Sequence, residues 1–214
     1  EEARKLHVFA RTSAFTKTAY DPYVNILRTT TEAFSGVVGG VDAMEVAPLD
    51  EPFGSSEELT RRIARNIQVM MQEEFHLTQP VDPAGGSWYV ETLTAQLAES
   101  IWAYFQNIES KGGIESVILS GTLQDDVAAT LAQRFKNLDT RADRAVGVNM
   151  YANVLEQKLD RPAPKAVPAP AGPAVVTAKP IEAHRWTERY EALRAQTEAW
   201  MEKTGKTLDV FLAN

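Results

Sequence analysis

The chain has 214 residues, 44% of them hydrophobic, which is enough to bury a sizeable core in one or two domains. A formal charge of −7 and a pI near 5.1 argue against a nucleic-acid partner, because phosphate binding needs clustered Lys and Arg. With no cysteine there are no disulfides, thiolate metal sites or cysteine nucleophiles. No apolar run approaches the roughly 18 residues of a spanning helix, and no signal peptide is legible, so a cytoplasmic protein without a membrane partner is expected. The start, Glu1-Glu2 without Met, reads as an interior cut or a processed end.

Leu6 to Thr12 (LHVFART) is a short apolar run with β-branched and aromatic residues and predicts a buried strand. Asp21-Pro22 then opens a helix, with Asp suited to the N-cap and Pro to the first helical position. Val24, Leu27, Thr31, Phe34 and Val38 share one face at helical spacing, and Gly39-Gly40 stops the helix. Ala43 to Ala47 (AMEVA) is the next strand. The polar loop PLDEPFGSS follows, and Ser56 caps a second helix whose stripe is Leu59, Ile63, Ile67 and Met70. A third helix is predicted from about Glu91 to Glu109, with Leu93, Leu97, Ile101, Tyr104 and Ile108 inward and Lys111-Gly112-Gly113 at its end. Shorter helices cover roughly residues 114–119 and 124–137, and Val146 to Val148 reads as a brief strand.

Strands that alternate with amphipathic helices imply parallel pairing through right-handed crossovers. The two or three units present are too few to close a (β/α)8 barrel of about 250 residues. The block is therefore an open α/β sheet or the second part of a barrel. Residues 161–180 hold six of the eleven prolines and read as an extended, semi-rigid linker. Beyond it, Trp186, Tyr190, Leu193, Thr197 and Trp200 mark an amphipathic helix, Thr204-Gly205 ends it, and Leu208 to Ala213 reads as a strand. A helix and one strand do not make a domain, so a further domain is expected to begin here.

Several residues carry both a plain and a chemical reading. Gly39-Gly40 is an ordinary helix stop. Gly85-Gly86 in DPAGGSWYVE suits either a local turn or the close approach of a ligand or another chain. Glu51 lies in a loop after a strand, the face where α/β folds carry function, although a loop carboxylate is commonly just solvated. His7, His76 and His184 are far apart in sequence and have no carboxylate at ligand spacing, so no metal site is predicted. Lys17 and Arg28 suit an anion but equally a salt bridge. The stripe Trp186, Tyr190 and Trp200 is read as packing.

The runs T-S, D-P-x-x-N, L-R-T-T, E-A, G-G and L-D-E, followed by D-P-x-G-G-S-x-Y-V-E, together resemble the adenosylcobalamin-dependent methylmalonyl-CoA mutase family. The similarity covers Leu6 to about Tyr151 and, more weakly, Trp186 to Asn214. It implies an α/β fold: the last strands and helices of a (β/α)8 barrel over residues 1–151, a Pro/Ala-rich linker over 152–182, and the start of a Rossmann-like domain over 183–214. It also implies carbon-skeleton isomerisation of an acyl-CoA, with radical chemistry supplied by adenosylcobalamin. By the same correspondence Glu51, Gly54 and Ala14 stand where the family contacts the corrin. Phe9, Arg11 and Asp42 stand where it contacts the acyl-CoA, but catalytic chains carry His, Gln and Gln there, and Ala14 replaces a Gly. These departures resemble the small, non-catalytic subunit of the heterodimeric enzymes. They imply a partner that is a catalytic mutase subunit or the rest of the same barrel, and no catalytic residue in this chain. A catalytic chain with an altered acyl pocket and a non-enzymatic α/β interaction domain are the alternatives. Strand alternation puts residues 9 and 11 on one face, so an occluded channel is expected, with Arg11 paired to an acid such as Asp42 or Glu45.

Overall fold

The computed structural model describes residues 6–153, 155–156, 158–162 and 178–206. The predicted strand 208–213 and most of the proline-rich stretch lie outside these residues. The chain divides into two compact units. One holds the chain as far as Val81, the stretch that starts at Asn137 and the segment from His184 onward; the other holds Asp82–Lys136 and the residues just before His184.

In the first unit, β1 (Phe9–Arg11) and β2 (Ala43–Glu45) pair in parallel, with Phe9 opposite Ala43, Ala10 opposite Met44 and Arg11 opposite Glu45. Both strands are shorter than their apolar runs. The helix between them, α1 (Val24–Val38), packs against α2 (Glu58–Glu73), the helix after β2. Their shared core is Ala33, Val46, Ala64, Ile67 and Met71, flanked by Ile26, Val37, Met44, Ile63 and Leu77. This is a parallel β–α–β–α arrangement, and the described residues contain one two-stranded sheet. The expected strand at Val146 to Val148 reduces to an isolated bridge between Val146 and Met150.

Several predicted helix faces differ from the observed ones. In α1 the buried residues are Asn25, Thr29 and Ala33, whereas Leu27 is 66% and Phe34 47% exposed. The apolar stripe lost to a polar one because Asn25 is fully satisfied inside. Its amide donates to the carbonyls of Thr18 (2.9 Å) and Leu49 (3.1 Å), and its side-chain oxygen accepts from the Thr18 N–H at 3.0 Å. Asp21 is not the N-cap: its φ is +49°, its N–H donates to Glu156 at 2.6 Å, and the helix starts after Tyr23. The residue before a proline is disfavoured in the α region, and Asp tolerates the left-handed one. The start of α2 is likewise shifted, to an N-cap at Glu57 rather than Ser56; Ile63 and Ile67 pack inward as expected, but Leu59 and Met70 are exposed.

The first unit also takes in α6 (Glu188–Thr204), which ends at Gly205 in the left-handed conformation that glycine adopts without strain. Trp186 and Tyr190 pack on a small cluster of Leu138, Ala145 and Val148, as the packing reading of the aromatic stripe expects, whereas Leu193 (55%) and Trp200 (42%) are exposed and the residue that α6 buries is Glu191.

The second unit is helical: α3 (Trp88–Ser110) packs against α4 (Gly113–Leu119), and α5 (Thr122–Asp139) belongs to it as far as Lys136. No residue of α3 is buried, and the predicted inward residues Leu93, Leu97, Ile101 and Tyr104 are all exposed. The double glycine before α3 has a local cause. A Cβ on Gly85 would meet the Asp82 carboxylate at 2.6 Å, Gly86 has φ +79°, and its N–H donates to Glu91 at 3.1 Å. Gly86 thus sits in a left-handed turn position that favours glycine, and Gly85 lies against the Asp82 side chain. Among the described residues no helix is long and apolar enough to cross a membrane, and no three His, Asp or Glu side chains gather as a metal site.

Candidate functional site

The site is built on the first unit. Side chains alternate along a strand, so Ala10 and Met44 turn toward the helices while Phe9, Arg11, Ala43 and Glu45 share the opposite, open face. Phe9 is 63% exposed there. Arg11 does find an acid. Its Nε donates to Glu45 Oε1 at 3.1 Å, across the strand pair, and its Nη2 donates to Glu51 Oε1. Burial works against the Arg11 charge, but the two carboxylates more than offset it and hold the guanidinium above its ordinary pKa.

Asp42 is not part of this cluster. It precedes β2, at the opposite end of the strands from Glu51, and there it accepts from the Val8 N–H at 2.7 Å and stands 3.8 Å from His7. It closes the start of the sheet. Ala14 is exposed in the loop after β1, and its carbonyl accepts from the Lys17 N–H at 3.3 Å. That loop is held from beneath. The Lys17 ammonium, with no exposed surface, donates to both Glu32 oxygens at 2.8 Å, and Glu32 also accepts from Ser13 N–H and the Thr16 hydroxyl. Burial lowers the Lys17 pKa, and Glu32 opposes that only in part. Thr16 and Glu32 line a cleft of about 320 Å³ together with Arg11, Ser13, Ser35 and Met44.

The loop between β2 and α2 carries the densest chemistry. Glu51 opens a short 3₁₀ turn, Glu51–Phe53. Its neighbour Asp50 is fully buried and accepts from Arg161 Nε at 2.8 Å. Burial pushes the Asp50 carboxyl up, but Arg161 and the neighbouring hydroxyls outweigh it and hold the pKa below the usual carboxylate range. Arg161 also pairs with Glu57 at 2.8 Å, and the Pro162 carbonyl accepts from the Ser55 N–H at 2.8 Å. Gly54 lies directly under this segment: a Cβ there would collide with Arg161 Cβ and come within 3.1 Å of the Pro162 carbonyl.

A second ionic node ties α6 to the loop after β1. Glu191, 5% exposed, accepts from the Ala19 N–H (2.9 Å), the Thr187 hydroxyl (2.8 Å) and both terminal nitrogens of Arg185. Burial raises the Glu191 carboxyl, but Arg185 and the Ala19 N–H more than reverse it, so its pKa lies below the ordinary value. Arg185 also donates to the Lys17 carbonyl at 3.2 Å, and the Trp186 N–H to the Phe15 carbonyl at 3.0 Å. Arg28 donates to neutral groups, the Thr18 hydroxyl, the Asn25 side-chain oxygen and the Val146 carbonyl.

Sequence reasoning missed Asp50, Arg161, Arg185 and Glu191. No periodicity joins residues 111 positions apart, as Asp50 and Arg161 are. Glu191 was hidden inside an aromatic stripe. A carboxylate directly beside the singled-out Glu51 was the one local signal.

A corrin can be tested against Ala14, Glu51 and Gly54. Glu51 Oε2 is buried without a hydrogen-bond partner among the described residues, so one acceptor is free. The other oxygen is held by Arg11, and the space beside Gly54 is filled by Arg161 and Pro162. As a set, the three residues do not fit the cofactor.

The described residues define an α/β protein with its charged loop at the carboxyl ends of two parallel strands. The family model described as methylmalonyl-CoA mutase matches residues 1–208. The chain is 40% identical over 204 residues to a methylmalonyl-CoA mutase small subunit of Streptomyces virginiae, covering 95% of this chain and 32% of that protein. It is 36% identical over 215 residues to a methylmalonyl-CoA mutase small subunit of Porphyromonas gingivalis, covering 99% and 33%. A methylmalonyl-CoA mutase of Cereibacter sphaeroides is 38% identical over 155 residues, covering 72% and 22%. The chain belongs to the methylmalonyl-CoA mutase family and spans about a third of the length of the curated small subunits it matches.

Proposed function

We propose that this chain is part of the structural small subunit of an adenosylcobalamin-dependent acyl-CoA mutase, one that isomerises methylmalonyl-CoA and succinyl-CoA type thioesters. In this reading the catalytic partner subunit holds the cofactor and the acyl-CoA, and this chain completes the assembly in the cytoplasm. Residues 1–151 form the last part of a (β/α)8 barrel, 152–182 the linker, and 183–214 the start of a Rossmann-like domain.

The observation that carries the reading is Arg11. It stands where catalytic chains are expected to present a glutamine to the substrate, and it is spent on Glu45 and Glu51. Phe9 beside it offers no hydrogen bond to a thioester or carboxylate. Neither group is left to bind, orient or protonate a substrate atom. The small-subunit relatives support the same assignment. The cofactor, where bound, supplies the radical chemistry; this chain's own residues hold the sheet face and its loops.

A catalytic chain with a changed acyl pocket is the second reading, favoured by the unpartnered Glu51 Oε2. Titrating full-length protein with an acyl-CoA separates the two. The scaffold reading expects no saturable binding by this subunit alone, and binding that is lost in Arg11→Ala would favour the second.

A further inference from the structure

The first residues of the proline-rich stretch do more than connect. The Arg161 guanidinium sits between the buried Asp50 and Glu57, each at 2.8 Å, and the Pro162 carbonyl takes the Ser55 N–H at 2.8 Å. Between these anchors the chain lies on Gly54, where there is no room for one added carbon. Gly54 has φ 179°, extended backbone that any residue adopts, so its need for glycine is purely steric and the steric partner is Arg161. Four successive contacts, at Asp50, Gly54, Ser55 and Glu57, therefore engage one short piece of chain. They cover the loop on which the family's cofactor contact stands. A planar ligand laid on this loop would have to displace Arg161 and expose the Asp50 carboxylate.

We propose that Arg161 and Pro162 are a built-in occupant of the β2–α2 loop, an autoinhibitory contact that keeps the loop closed to a corrin. This rests on the scaffold reading above and goes beyond it by naming the residues that close the loop.

The test uses the full-length protein and two readouts. The first is hydrogen exchange at the Ser55 amide. It is expected to be slow in the wild type and about tenfold or more faster in Gly54→Ala, whose new Cβ expels the segment. The second is quenching of tryptophan fluorescence by hydroxocobalamin. The double variant Asp50→Asn/Arg161→Gly removes the occupant without leaving an unpaired buried charge, and is expected to bind about tenfold tighter than wild type. Unprotected Ser55 in the wild type, or exchange unchanged in Gly54→Ala, overturns the proposal. So does faster exchange with no gain in hydroxocobalamin affinity in the double variant. Should either variant fail to fold, the other still decides, because one displaces the segment and the other deletes its anchor. Tight binding of hydroxocobalamin by the wild type, with Ser55 protected, would instead contradict the scaffold reading.

Discussion

The first unit contains two kinds of ion pair, and they behave differently. Arg11, Glu45 and Glu51 meet on an open strand face, with side chains 38%, 51% and 35% exposed. Asp50 and Arg161 are 0% and 11% exposed, and Glu191 and Arg185 are 6% and 21% exposed. Water screens the first cluster and leaves it little net stabilising energy. The buried pairs have given up hydration, so losing one partner strands a charge inside the protein. They fix where the linker and α6 meet the loops of the sheet.

Removing Glu191 should have the largest effect. Glu191→Ala leaves the Arg185 guanidinium without its carboxylate and the Ala19 N–H without its acceptor, and should cost about 3–5 kcal/mol, measured by urea unfolding. A cost near that of a surface pair would erase the distinction drawn between the two kinds. Asp50→Asn keeps the shape but removes the charge facing Arg161, and about 1.5–3 kcal/mol is expected, since Glu57 still holds the guanidinium.

Acid should weaken the buried pairs as well. Asp50 and Glu191 both titrate below the ordinary carboxylate range. Their contribution is fully present above the unfolded-state pKa of about 4 and is lost as pH falls through the depressed folded values. Stability followed from pH 7 downward should therefore hold until about pH 4 and then fall, with a shallower acid limb in Asp50→Asn. A loss centred near neutral pH would mean other groups dominate. The smallest effect belongs to Arg11→Gln, at about 0–1 kcal/mol and reduced further by salt.

How much of this was legible beforehand follows the same division. The order strand, helix, strand, helix was readable because short β-branched runs, Gly40 and the amphipathic α2 are local signals. That Arg11 pairs with an acid was readable from the cost of leaving a guanidinium unpaired. Of the two acids expected, Glu45 is a partner and Asp42 is not, and Glu51 was not among them. The buried face of α1 was not, because Asn25 is interior through hydrogen bonds to Thr18 and Leu49 that no hydropathy period reports. In α3 the failure has the opposite sign: its apolar face follows a helical period, but no described residue buries it. Gly54 was singled out by resemblance, yet its observed neighbour is Arg161, and a contact between residues 54 and 161 leaves no trace in a single sequence.

The central claim is that this chain is a scaffold that leaves the cofactor to its partner. The most direct measurement is the visible absorbance of full-length protein purified without its catalytic partner and equilibrated with hydroxocobalamin, followed by gel filtration. The account predicts a protein peak free of corrin absorbance, in wild type and in Glu51→Ala alike. Stoichiometric corrin absorbance in the wild-type peak, lost in Glu51→Ala, would contradict it.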